Sequence, residues 1–178
     1  TSTLHHHVTL PLQHMSNTFD QAIGPLLDAE GGYVNDPTDR GGETKWGISK
    51  RAYPQLNIAA ITEDDARAIY RRDYWDRLGL DDVDPSAGRV LFNIAVNSGV
   101  GQAGRLQERY GDNPEALIEA QRAHYKRIVE NDPSQIRFAK GWNARMDNLQ
   151  AEIGLPSEIA KTRTDAIPQD PLATPEQA

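Results

Sequence analysis

The stretch Ala29–Ser49 gathers four carboxylates, Glu30, Asp36, Asp39 and Glu43, with the rings of Tyr33 and Trp46, the hydroxyl of Thr44 and five of the chain's 14 glycines. Glycine pairs carry an entropic penalty, and a segment that accepts it while concentrating acids reads as a site held on a loop between packed elements. Two carboxylates facing each other across a cleft can divide the work of glycoside hydrolysis. One, protonated, donates to the leaving-group oxygen, and the other activates or positions water. Glu30 and Asp39 are separated by eight residues, and Thr44 follows after four more, its hydroxyl suited to holding that water. A carboxyl separation of roughly 6.5–9.5 Å would imply inversion. Asp36 and Glu43 remain rivals to Asp39 for the second role.

The elements that must position these groups follow from periodicity and punctuation. Phe19, Ala22, Ile23, Leu26 and Leu27 form a helical stripe that ends at Glu30, where Gly31 and Gly32 supply the stop. Gly24-Pro25 inside it predicts a kink or a delayed start. Glu30 at the C-terminal end meets the negative pole of the helix dipole, which is expected to raise its pKa toward that of a working proton donor. Tyr33-Val34 and Lys45–Ile48 can pair as a small hairpin around Asp36–Gly42. Ser49 is placed to cap a short helix to Tyr53, and Thr62 with Asp65 opens the next, with Arg67, Arg71, Arg72 and Arg77 read as a solvated face or else a local site for anionic substrate. Asp84-Pro85 starts an apolar, buried helix in which Asn97 is a candidate to face a cleft. A short helix follows over Gln102–Tyr110, Asn113-Pro114 starts a long one to about Glu130, and Pro133-Ser134 starts the last. Tyr33, Trp46, Trp75 and Trp142 offer faces for sugar rings. Asp36, Asn97 and Tyr125 complete the binding candidates. The fold expected is mostly α, with one small β-hairpin beside an active-site cleft.

Composition narrows the alternatives. The formal net charge of −7 argues against a nucleic-acid surface, and the absence of cysteine removes disulfides and thiolate zinc sites. No cofactor and no metal are expected. His5–His7 read as incidental, and a calcium loop through Asn35, Asp36, Asp39 and Glu43 is interrupted by Pro37 and Arg40. No apolar run approaches the ~18 residues of a membrane span, and the N-terminus lacks a secretory succession. The expectation is a monomer made in the cytoplasm without stable membrane insertion.

The run E-G-G-Y-V-N-D-P-x-D-x-G-G-x-T-x-x-G-I-S over Glu30–Ser49 resembles the signature of glycoside hydrolase family 108, phage and bacterial N-acetylmuramidases. F-N-I-A-V-N-S-G-V-G-Q-A at Phe92–Ala103 and A-H-Y-K-R-I-V-E-N-D-P-S-Q-I-R-F-A-K-G-W-N-A-R at Ala123–Arg145 resemble that family's predicted peptidoglycan-binding region. The loop is also similar to the wider Glu-x8-Asp-x5-Thr pattern of phage endolysins, one residue short before Thr44. The resemblance implies a lysozyme-like fold and cleavage of the β-1,4 bond between N-acetylmuramic acid and N-acetylglucosamine, with Glu30 as catalytic acid. Lack of period at 1–16 and the proline-rich, apolar-poor composition of 153–178 mark tails, and the expected globular unit between them has a catalytic lobe at 17–90 with a helical peptidoglycan-binding lobe at 91–152 packed on it. A muramidase without an export address implies a holin or dedicated export route as partner. Two alternatives stand beside it: a lytic transglycosylase, which needs one acid/base carboxyl, and a non-catalytic wall-binding or phage-structural module.

Overall fold

A computed structural model of the chain describes residues 18–35 and 42–156, with backbone alone at Ala29 and Glu30. Asp36, Asp39, the N-terminal tail and the chain beyond Pro156 lie outside the described residues. Six α-helices and a three-stranded sheet are present among those described: α1 (Thr18–Glu30), β1 (Tyr33–Asn35), β2 (Glu43–Lys45), β3 (Ile48–Ser49), α2 (Glu63–Tyr70), α3 (Pro85–Ser98), α4 (Val100–Tyr110), α5 (Pro114–Asn131) and α6 (Ile136–Glu152). None of these helices is long and apolar enough to cross a membrane.

The chain divides into two compact units between Arg105 and Leu106. The boundary expected at 90/91 falls inside α3, and the observed division falls inside α4. Helix α3 belongs whole to the first unit, because its apolar side packs on α1.

In the first unit α1 runs from Thr18 through Pro25 to Glu30, so Gly24-Pro25 neither delays nor ends it. The proline stands on the exposed side of the helix, where disruption of the backbone ladder is offset by water. On the other side Phe19, Ile23 and Leu27, spaced by four residues, are buried. They meet a core that contains Trp75, Leu91, Phe92 and Ile94, all at 2% exposure or less. The Trp75 ring stands edge-on to Phe19 at 5.4 Å and to Phe92 at 5.5 Å, arrangements that suit the aromatic quadrupole. Trp75 reaches this position because α2 continues into a π turn over Arg71–Trp75. Its i→i+5 bonding brings Tyr70 and Trp75 to the same buried side. Gly88 lets α3 pass close by, since a Cβ there would lie 3.2 Å from Val83 Cγ2 and 3.8 Å from Trp75 Cη2.

Three caps fall where the sequence puts them. Thr62 and Asp65 form a reciprocal capping box, Asp84 accepts from the Ser86 and Ala87 amides, and Asn113 Oδ1 accepts from Ala116 N at 3.0 Å. The short helix expected after Ser49 is only a turn, closed by Tyr53 N donating to Ser49 O at 3.0 Å and Ala52 N to Ser49 Oγ at 3.2 Å. In the second unit α5 packs along α6, burying Leu117, Ile118, Tyr125, Met146 and Leu149.

The expected hairpin is a three-stranded antiparallel meander, order β1-β2-β3. Its second strand is Glu43–Lys45 rather than Lys45–Ile48. Trp46 (φ 54°) and Gly47 (φ 75°) form a two-residue turn that reverses the chain into β3. Positive φ at both central positions is what a type I′ hairpin turn requires. Gly47 meets that demand freely and Trp46 does not.

Candidate active site

Glu30 is the last residue of α1, and the last turn of that helix contains no basic side chain. Gly31 and Gly32 (φ 85°) turn the chain directly into β1. The sheet therefore begins three residues after the proposed acid, and both rest on one short connection. In the register Tyr33 faces Lys45, Val34 faces Thr44, and Asn35 faces Glu43. Thr44 faces Ser49 on its other side, so it sits on the central strand.

Alternation of side chains along a strand puts Glu43 and Thr44 on opposite faces of the sheet. Tyr33 shares the face of Glu43, and its hydroxyl donates to Glu43 Oε1 at 2.8 Å. That hydrogen bond, with some desolvation and the carboxylate charge, raises the Tyr33 pKa above its ordinary value. Glu43 is thus already engaged with an exposed phenol, and it cannot share one face with the Thr44 hydroxyl. Lys45 turns to the 3₁₀ turn Ile58–Ala60, with Nζ donating to Ala59 O at 3.0 Å.

Trp46 is half-buried. Its Cζ3 stands 3.7 Å from where a Cβ on Gly31 would lie, so the ring braces the turn after Glu30. Tyr70 OH donates to Trp46 O at 3.0 Å, fixing the turn from the α2 side.

Trp75 is not a sugar platform. It is fully buried, and Nε1 donates to Asp81 Oδ1 at 2.9 Å, leaving no face for a ligand. Asn97 is exposed, and its amide folds back onto its own helix, Nδ2 donating to Asn93 O at 2.8 Å. The arginines are more than a solvated face. Arg71 pairs with Asp81 and, at 2.9 Å, with Asp76, and stacks over the Phe19 ring, while Arg67 pairs with Asp20 and Glu63.

A cavity of about 510 Å³ in the first unit is lined by Tyr53, Asp73, Tyr74, Arg77 and the α3 residues Ala95 and Val96. Arg72 grips Asp73 with Nε at 2.6 Å and Nη2 at 2.8 Å, and Tyr53 OH donates to Asp73 Oδ2 at 2.7 Å. The Arg72 hydrogen bonds, joined by that from Tyr53, hold the Asp73 pKa down at about 2. Burial, then the bond to Asp73, pushes the Tyr53 phenol up, and burial raises that of Tyr74. Sequence reading missed this group. Tyr53 and Asp73 lie 20 positions apart, so no local spacing announces it.

In the second unit Tyr125 stacks on Trp142 at 5.0 Å between centroids, and Trp142 on Phe138 at 5.9 Å. Tyr125 is 4% exposed, so its own ring is covered, whereas Phe138 is 43% exposed. A groove of about 680 Å³ beside them is lined by Arg122, Tyr125, Val129, Ile136, Ala139 and Asn143. Among the described residues no three His, Asp or Glu side chains converge as metal ligands.

Residues 23–99 match the family described as Glycosyl hydrolase 108. No curated protein matches the chain. Among solved structures, that of Brucella abortus SagA is similar, with a TM-score of 0.62 and 25% sequence identity, covering 76% of this chain and 93% of that one. The mainly helical chain with its small sheet is consistent with the lysozyme-like class. The stretch that matches the glycosyl hydrolase 108 family, residues 23–99, includes Glu30, Thr44 and Asn97.

Proposed function

We propose that this protein is a muramidase that hydrolyses the β-1,4 bond between N-acetylmuramic acid and N-acetylglucosamine in bacterial peptidoglycan, with Glu30 as general acid. The observation that carries the reading is the position of Glu30: it ends α1, immediately before the glycine turn into the sheet, within the stretch matched to a glycosyl hydrolase family. The helix end is the negative pole of the dipole and has no basic side chain in its last turn, an environment that disfavours further negative charge. Asp39 is the proposed second carboxylate and Asp36 a substrate contact. Glu43 is the weaker rival, since Tyr33 already occupies it. Thr44 is proposed to hold the attacking water.

The proposed glycan contacts are Tyr33 and the open cavity at Tyr53, Tyr74 and Arg77. The second unit is proposed to hold peptidoglycan through the exposed side of the Trp142 and Phe138 stack. The biological role that fits is that of an endolysin reaching the wall through a holin or an export system.

Mass spectrometry of purified peptidoglycan after digestion tests the chemistry. The wild type is expected to release fragments with new reducing ends, and Glu30→Gln none, with its fold retained. Fragments ending in 1,6-anhydro sugar would instead establish a lytic transglycosylase. Full activity in Glu30→Gln would remove Glu30 as the acid. Lysis from within cells only when a holin is co-expressed is the result expected for the endolysin role.

A further inference from the structure

We propose that Trp46 is a positioning residue for Glu30, acting through the turn that follows α1, and not a platform for sugar. The inference rests on the assignment of Glu30 as the acid. Four observations converge on it. Trp46 adopts φ 54° in a two-residue turn, a conformation easy for Gly or Asn and strained for a bulky side chain. The strain is held in place, because Tyr70 OH donates to Trp46 O at 3.0 Å. The indole is directed at the end of α1, with Cζ3 3.7 Å from a Cβ built on Gly31. Trp46 Nε1 is buried and has no hydrogen-bond partner among the described residues.

A turn built only to reverse the chain would have Asn-Gly here, the pair that best fits type I′ geometry. Strained residues persist where the surrounding structure over-determines them, and they cluster at functional sites. Trp46 ties three things together: its backbone to α2 through Tyr70, its place in the sheet to the strand carrying Thr44, and its ring to the residue after Glu30. The ring therefore bears on the turn that directly follows Glu30. Removing the ring frees that end while making the turn itself easier to form.

The test uses full-length Trp46→Asn, Trp46→Phe and Glu30→Gln, with soluble peptidoglycan glycan fragments as substrate. Trp46→Asn is expected to keep or raise Tm and to lose about 100-fold in kcat with KM little changed, the signature of misplaced catalytic geometry. Amide hydrogen exchange at Glu30–Gly32 is expected to rise about tenfold in the same variant, and Trp46→Phe to restore most of kcat and protection. An unchanged kcat in Trp46→Asn beside an inactive Glu30→Gln overturns the proposal. So does a rise in KM alone, which returns Trp46 to substrate binding, or unchanged exchange at Glu30–Gly32. Full activity in Glu30→Gln is a different result. It removes the assignment beneath the proposal, while the exchange data still show whether the brace exists.

Discussion

Replacing Trp75 by Phe separates a core residue from a substrate contact. Trp75 is fully buried among Phe19 and Phe92, and Nε1 donates to Asp81, a carboxylate also held by Arg71. Phe keeps one ring and most of the edge contacts. The loss of buried volume costs about 1 kcal/mol by analogy with other large-to-small core changes. The hydrogen bond to a charged acceptor adds about 1–2 kcal/mol, since Asp81 keeps its arginine and is not left unpaired. The expected destabilisation is therefore about 2–3 kcal/mol, rising to about 3–5 kcal/mol for Trp75→Ala. Urea unfolding of the full chain, reading the transition of the first unit, measures it. Activity per folded molecule is expected to stay within about twofold of wild type, since no atom of Trp75 is available to substrate. A Phe variant within about 0.5 kcal/mol of wild type but with a many-fold higher KM would refute the reasoning.

Asp73→Asn bears on acid stability. The folded pKa of Asp73 lies at about 2, below its ordinary 3.8, so the ionised carboxylate stabilises the fold above about pH 4. That contribution is lost as pH falls from about 4 to 2. Urea midpoints of wild type and Asp73→Asn are thus expected to differ at pH 6 and to converge toward pH 2, and a gap independent of pH would contradict the assignment. Asn113→Ala removes the side chain that accepts from Ala116 N and is expected to cost about 1 kcal/mol in the unfolding of the second unit. Tyr33→Phe breaks an exposed hydrogen bond and is expected to change stability by less than about 0.5 kcal/mol. If Tyr33 contacts glycan, its KM rises several-fold. Trp142→Ala, combined with Glu30→Gln to prevent cleavage, is expected to reduce retention of the chain on insoluble peptidoglycan several-fold in a sedimentation assay.

The helices were legible because their signals are local. Thr62 with Asp65, Asp84-Pro85 and Asn113-Pro114 each satisfy free backbone amides at a helix start, and all three cap as expected. The position of Glu30 at a helix end was legible from an apolar stripe stopped by two glycines. The third strand was not, because it depends on Trp46 taking a backbone conformation that its own type disfavours. Trp75 misled for a related reason. A tryptophan near polar residues looks like a sugar platform, and only the wide turn reveals that it lies beneath them. The Tyr53–Asp73–Arg72 group joins residues up to 20 positions apart, and such a pairing leaves no period to count.

The π turn at Arg71–Trp75 makes chain length itself a constraint on this fold. Deleting one residue there would favour a regular α-helix with better hydrogen bonds. It would also rotate everything after the deletion by about 100°, carrying Trp75 away from Phe19 and Phe92. The composition of the segment would hardly change, yet the core would lose its largest side chain and Asp81 its indole donor. A one-residue deletion here shifts the phase of everything that follows, which no single substitution in these five residues does.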